Sequence, residues 1–392
     1  MAATPPTAAA LLDAATALAP RIAARAAEIE RERRIPADLI AALTAAGLFK
    51  MLLPRTVGGG ELPPHEYAPI IEAVARADAS AAWCLAQANG CATTAAYLDP
   101  AVARDIFGAD PGAILAWGPP SGARAVAVAG GYRLTGRWSF ASGCRHATWL
   151  GPSCPIVEED GSPRLLPDGR PAIRFLLIPA GAATFTDIWR VSGLRGTASD
   201  AFACADHFVP ASHTASEAAA ERRERGPLYQ FPRWCLYATG FASVALGIAR
   251  TMLDDFIALA GGKSPRNTPG TLRENGVVQA QVARTEATYR GARAFLHTTL
   301  RDAWEAVGRT GELPREQQML IRLAGTDAIH RAAAVADTAF RAAGATAIFE
   351  DNPFERRFRD IHAVTQQIQA RQAHYETVGQ YFLGLEPTGY LG

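Results

Sequence analysis

The sequence predicts an α+β fold in which a central sheet is flanked by two helical regions. Three observations carry that prediction. The opening is rich in Ala, Leu and Ile with Arg and Glu interspersed, the texture of amphipathic helix. The middle third alternates apolar and polar residues with a period of two, broken by Gly-Gly and Asp-Gly pairs, the texture of half-buried strands. Helical periodicity then returns at Pro227 and holds to about Leu383.

Taken in order, Ala8 to Glu32 favours helix, and Pro36 suits the first turn of a second helix that Gly47 would end. Gly58-Gly59-Gly60 is a loop. Pro64 opens a helix through about Arg76, and Asp78 stands where it can cap the apolar segment Ala81 to Tyr97. Residues 1–110 are thus an N-terminal helical domain. Residues 111–215 form a central antiparallel β-domain, a small barrel or sandwich. Its strands are Ile114 to Trp117, Ala125 to Ala129, Tyr132 to Trp138, Arg174 to Ile178 and Ala201 to Val209, and Glu158 to Arg170 is a hairpin tip. Residues 216–392 form a C-terminal four-helix bundle of antiparallel helices, roughly 25 residues each. Its breaks fall at Gly261-Gly262, Pro265 to Pro269, Gly311 to Pro314 and Asn352-Pro353.

The 392 residues are 49% hydrophobic and 20% charged, enough for a sizeable core. The net charge is +1 and basic residues are scattered, so neither nucleic acid nor a membrane surface is expected as a partner. Cys84, Cys91, Cys144, Cys154, Cys204 and Cys235 form no C-x-x-C pair and have no His at ligand spacing. That pattern predicts reduced cytoplasmic thiols and no metal site. Met1 to Pro20 lacks the charged start of a signal peptide. The apolar run Cys235 to Ala249 is too short to span a bilayer and reads as a buried helix. No G-x-G-x-x-G occurs, and no Gly-Lys-Ser/Thr follows Gly60, so a nicotinamide site and a phosphate loop are not expected.

Four strings sharpen the domain order. They are Gly136 to Gly143, Ser192 to Asp200 followed by Phe208-Val209-Pro210, Ala79 to Leu85, and Arg357-Phe358-Arg359-Asp360-Ile361. Together they resemble the acyl-CoA dehydrogenase superfamily, and within it the two-component flavin-dependent monooxygenases. The tail Asp360 to Gln369 is most similar to indole-3-acetate monooxygenase and related indole oxygenases. The resemblance implies reduced flavin (FADH2 or FMNH2), O2, a separate flavin reductase and a homotetramer. It also implies hydroxylation of an aromatic or N-heteroaromatic, indole-like molecule through a flavin C4a-hydroperoxide. The alternatives are an acyl-CoA dehydrogenase with a displaced Glu base, an N-hydroxylating amine oxygenase, and a non-catalytic scaffold.

A dehydrogenase needs a carboxylate to remove the proton alpha to the thioester. The family takes it from one of two places, and both are empty. One lies about nine residues after the Arg-Asp pair, where this chain has Ile368, with no Asp or Glu from Ile361 to Tyr375. The other lies at the start of the first bundle helix, and Gly226 to Leu253 contains no Asp or Glu. Glu376 follows a Tyr, as that base does, but is displaced by about 12 Å along a helix and reads as a surface or interface residue.

The monooxygenase resemblance implies other roles. Ser142 is the hydroxyl that accepts from flavin N5–H, and Trp117, Trp138 and Phe140 contact the ring. Trp138 and Phe140 are two apart on a strand, so they share one face, which is either a ring wall or sheet core. Gln367, at the position where many relatives carry a His, is implied as a catalytic group, and Gln369, sharing a helical face with Gln366 beside it, as a flavin contact; the alternative is three polar residues on a solvated face. Arg266 is either the Arg that reaches flavin phosphate from a neighbouring subunit or a solvated loop residue. Gln87, Asn89 and Cys91 either line a substrate pocket or satisfy one another structurally. Trp234 and Tyr237 either wall an aromatic pocket or pack the core, and His146 is structural.

Overall fold

The computed structural model describes residues 6–267 and 269–388. Among the described residues the chain opens with the helices α1 (Ala8–Ala24), α2 (Ala26–Glu32), α3 (Ala37–Ala45), α4 (Pro64–Ala77), α5 (Ala79–Ala92) and α6 (Pro100–Ala103). Their ends follow local chemistry. The Thr7 hydroxyl accepts from Ala10 N–H at 3.2 Å, and the Asp78 carboxylate accepts from Ala81 N–H at 2.9 Å, starting α5 where the sequence placed a cap. Gly47 ends the α3 turn in the left-handed region at φ 75°.

Ten strands follow: β1 (Leu115–Ala116), β2 (Pro120–Val128), β3 (Gly131–Ala141), β4 (Trp149–Leu150), β5 (Ser153–Val157), β6 (Ile173–Leu176), β7 (Ile178–Pro179), β8 (Thr184–Thr186), β9 (Asp200–Pro210) and β10 (Thr214–Ala215). They make a seven-stranded sheet, β10-β6-β5-β2-β3-β9-β8, and a small sheet, β1-β4-β7. The expected all-antiparallel sheet is corrected here: β2 pairs parallel with β5, and β1 parallel with β4. The reason is topological. After the β2–β3 hairpin the chain crosses over through the loop at Gly143 and adds β5 on the far side of β2.

The last region holds α7 (Arg233–Gly262), α8 (Gly276–Thr310), α9 (Arg315–Ala343), α10 (Pro353–Val364) and α11 (Ala373–Phe382). Among the described residues three of these helices are long and two are short, so the expected four helices of roughly 25 residues each are corrected in length. Between α10 and α11 the chain leaves the helical path, and the Gln367 side chain caps a 3-10 turn, Ile368–Ala370. The first long helix, α7, is buried over most of its length and packs against α4, α5 and α9. Close approach needs small residues: a methyl group at Gly247 would lie 2.5 Å from Ala75 of α4.

Among the described residues no helix is long and apolar enough to cross a membrane, and no group of three His, Cys, Asp or Glu could hold a metal ion. All six cysteines are free and buried.

Candidate active site

The string Phe140 to Gly143 ends β3 and turns sharply. Phe140 has φ 55° and Gly143 φ 76°, and the β3–β9 register shifts between Trp138 and Ala141. This turn delivers Ser142, 7% exposed, to the junction with α5. Its Oγ accepts from the Trp83 indole N–H at 3.0 Å and lies 2.7 Å from Ser199 Oγ. Ser199 Oγ is 2.7 Å from Thr197 Oγ1, and Thr197 donates to the Leu194 carbonyl at 2.8 Å. Trp83, Thr197 and Ser199 belong to strings the sequence singles out, but their joint action needs three separate elements to meet.

From Trp83 a stack of rings runs along α7. Trp83 stacks on Phe241 at 4.0 Å, and Phe241 on Tyr237 at 5.6 Å. Gln87 donates to Tyr237 Oη at 3.3 Å and to Cys91 Sγ at 3.5 Å, so Gln87, Cys91 and Tyr237 form one polar group at the end of the stack. A methyl at Gly90 would lie 2.2 Å from the Tyr237 ring, which shows how closely α5 and α7 approach here. Asn89 is a correction. Its amide donates to the Leu48 and Leu85 carbonyls and accepts from Leu52 N–H. Fully buried, with both amide protons donated to main-chain carbonyls, it ties α5 to the segment after α3.

A cleft beside the stack is lined by Trp234, Ala238, Arg322, Ile368, Gln369 and His374. The Arg322 guanidinium sits 4.2 Å over the Trp234 ring. Gln369 is 9% exposed, and its Oε1 is buried with no hydrogen-bond partner among the described residues. Gln367 is corrected from a catalytic group to a cap: its Oε1 accepts from Gln369 N–H at 2.7 Å and so fixes the residue that does face the cleft. Gln366 is exposed and shares no helical face with Gln369, because α10 has already ended.

Counting along a continuous helix missed His374. The 3-10 turn folds α11 back and brings this ring into the cleft. Burial first, and Arg322 second, push its pKa down to about 4. Thr326 donates to the Gln369 carbonyl at 2.8 Å, so the His374 Nδ1–H donates to Thr326 at 2.9 Å and Nε2 is left as an acceptor.

The remaining expected site residues separate by position. Trp138 is fully buried, stacks on Phe202 at 5.2 Å and donates to the Ser153 carbonyl at 3.0 Å, so it is sheet core. Phe140 is 63% exposed and meets Trp189 edge-on at 5.8 Å. The two rings do not share a face, because the bulge and the positive φ at Phe140 invert the alternation. Trp117 packs beside Phe175 at 4.8 Å, with the Arg233 guanidinium 4.5 Å over its ring. Arg233, which sequence reasoning missed, is buried and donates to the Thr93 and Thr94 hydroxyls. Arg266 lies in an exposed loop, and Glu376 lies on the exposed side of α11, away from the cleft. His146 has a buried Nε2 with no hydrogen-bond partner among the described residues, and burial holds its pKa down to about 4.

Residues 239–372 match the acyl-CoA dehydrogenase C-terminal domain, and residues 6–100 match the acyl-CoA dehydrogenase N-terminal domain. Over 371 residues the chain is 31% identical to an indole-3-acetate monooxygenase of Pseudomonas putida, covering 94% of this chain and 92% of that one. The chain belongs to the flavin-dependent monooxygenases of the acyl-CoA dehydrogenase superfamily. The monooxygenase is also 29% identical to the oxygenase component of an FADH2-dependent resorcinol hydroxylase of a Rhizobium species, over 93% of this chain and 91% of that one. Among solved structures, XiaF of a Streptomyces species, in complex with FADH2 and glycerol, superposes with a TM-score of 0.90 at 25% identity. That match covers 98% of the monooxygenase and 97% of XiaF.

The residues present fit a flavin. Gln369 Oε1 is an orphaned acceptor in the cleft, the kind of buried group a ligand donor satisfies. Ser142 supplies a buried hydroxyl where β-domain and helices meet, and Phe140 turns an uncovered ring outward next to it. Neither the cleft lining nor the Ser142 hydroxyl chain includes a carboxylate. That is the composition expected of an oxygenase, not of a proton-abstracting dehydrogenase.

Proposed function

We propose that the chain uses reduced flavin, delivered by a separate reductase, to hydroxylate an aromatic or N-heteroaromatic small molecule of indole-like size. The observation that carries this reading is that neither the cleft, with its Trp234 and His374 rings and Gln369 amide, nor the Ser142 hydroxyl chain holds a carboxylate. Bound reduced flavin supplies the oxygen-activating chemistry. The protein's part is to hold it and keep the proton inventory fixed. Ser142 accepts a hydrogen bond from the flavin N5–H and keeps that proton in place. Trp83 and Phe241 form an apolar wall that excludes water around it. The neutral His374 Nε2 is an acceptor, which suits a substrate that donates a ring N–H or O–H. Trp234 with Arg322 forms a flat, cationic wall that favours an electron-rich ring.

Arg266 contributing to flavin phosphate across a subunit boundary belongs to the same proposal, as does assembly into a cytoplasmic homotetramer. Exposed Phe382, Leu383 and Leu385 at the end of α11 support an oligomer, because isolated proteins seldom leave such a cluster in water. The free buried thiols suit a reducing compartment.

The deciding experiment mixes anaerobic protein and reduced FAD or FMN with oxygenated buffer and follows the flavin spectrum. The proposal expects a persistent absorbing species distinct from both reduced and oxidised flavin. Direct oxidation at the rate of free flavin, with both flavins, would refute it and favour bleaching of oxidised flavin by an acyl-CoA.

A further inference from the structure

The proton positions in the hydroxyl chain follow from counting donors. The Leu194 carbonyl can only accept, so the Thr197 proton is committed to it at 2.8 Å. Thr197 must then accept from Ser199, and Ser199 must accept from Ser142, each at 2.7 Å. The Trp83 indole N–H can only donate, and it meets Ser142 Oγ at 3.0 Å. Ser142 therefore commits its proton to Ser199, receives one hydrogen bond from Trp83 and retains one lone pair. A hydroxyl left to rotate could donate or accept; this one can only accept.

The backbone around the chain is held in an uncommon form. Phe140, Leu194 and Ala198 are non-glycine residues at φ 55°, 53° and 44°. Strain of this kind persists where surrounding contacts over-determine it. Here Leu194 N–H is gripped by the Asp360 carboxylate at 2.6 Å, and the Gly143 N–H donates to the Thr197 carbonyl at 2.9 Å.

We infer that Trp83, Ser199 and Thr197 are positioning residues that make Ser142 a one-way acceptor, and that this polarity selects the oxidation state of the flavin. The inference rests on the reading that Ser142 faces flavin N5. Reduced flavin carries a proton at N5 and donates. Oxidised flavin presents a lone pair there, and two facing lone pairs repel. The oriented hydroxyl thus favours the form a reductase delivers and disfavours the form left after turnover.

The test is equilibrium binding to the full-length protein, with reduced flavin titrated anaerobically and oxidised flavin titrated separately. Ser199→Ala frees the Ser142 proton to turn toward N5. It is expected to tighten oxidised flavin roughly three- to tenfold, about the worth of one hydrogen bond, with reduced flavin changed less than about twofold. Thr197→Val breaks the chain one step earlier with little change of shape and should act in the same direction. A gain of affinity for one oxidation state is not what structural damage produces. In a Ser142→Ala background, Ser199→Ala should have no further effect. Equal weakening of both flavins by Ser199→Ala and Thr197→Val, or no change from either, would overturn the inference. If Ser142→Ala alters reduced-flavin affinity while those two variants do nothing, the orienting role falls and the Ser142 contact stands. If Ser142→Ala also changes neither affinity, the contact itself falls.

Discussion

At the scale of the residue, the site turns on which atoms still have hydrogen-bonding capacity. Gln369 Oε1 has no partner among the described residues and Ser142 Oγ keeps a lone pair at a domain junction, whereas Asn89 has given both amide protons to the main chain and Trp138 its indole N–H, although all four looked equally suitable as letters. Ser142→Ala should keep reduced-flavin affinity within about tenfold while raising the fraction of oxygen lost as peroxide, because one hydrogen bond to N5–H is removed. Peroxide assayed against product formation checks this; unchanged coupling would remove Ser142 from the mechanism. His374→Asn keeps a polar side chain but loses the Nε2 acceptor. Its expected effect is a raised KM for substrate with flavin binding unchanged, and an unaltered KM would exclude the ring from substrate contact. Glu376→Gln should leave turnover within about twofold, since the carboxylate is exposed and points at nothing in the cleft. A loss of several orders of magnitude would return the dehydrogenase reading.

At the scale of the element, two loops decide the geometry. The segment Gly193 to Ser199 carries half of the hydroxyl chain and is docked on α10. A methyl at Gly193 would lie 2.1 Å from the Arg359 carbonyl oxygen, a backbone atom that cannot swing away. Gly193→Ala should therefore destabilise the fold by roughly 1–3 kcal/mol and loosen Ser199 as well. A denaturant midpoint equal to the parent's would show that α10 and this loop are not rigidly joined. The second element is the break between α10 and α11. Pro353 and the Asn352 cap make α10 legible in sequence, as a helix start. The 3-10 turn capped by Gln367 was not legible, because nothing in Gln366-Gln367-Ile368-Gln369 opposes helix. That turn is what exchanges Gln367 for Gln369 and brings in His374.

At the scale of the whole molecule, buried titratable groups oppose one another across the weakly acidic range. Burial, reinforced by Asp78, raises the Asp360 pKa from 3.8 to about 7. Glu30 raises it further, while Arg356 and the bond from Leu194 N–H work the other way. The folded state then holds a proton that the unfolded chain has released, so this contribution to stability falls as pH rises from about 4 to about 7. His146 and His374 have the opposite sign. Their pKa is lowered from 6.5 to about 4, so the stability they allow is complete above 6.5 and is lost as pH falls toward 4. Asp360→Asn retains an acceptor for Leu194 N–H and removes only the first contribution. The difference in Tm between variant and parent should grow in the variant's favour from about pH 4 to about pH 7. A difference that stays constant with pH would show that Asp360 does not titrate in that window.

The order of helical, sheet and helical regions, the cap at Asp78, the start at Pro64 and the absence of a base between Ile361 and Tyr375 were all determined by sequence, since each depends on neighbours along the chain or on which residue types are present. The family strings likewise marked Trp83, Ser142, Thr197 and Ser199 as parts of something. Only tertiary structure decided what they form, because α5, the end of β3 and the loop before β9 are far apart in sequence and meet through packing. The same holds for Trp138 and Phe140. Strict alternation puts them on one face, and one bulge puts the first in the sheet core and the second in the open. A bulge is set by cross-strand register, which depends on the partner strand, and local sequence carries no record of it.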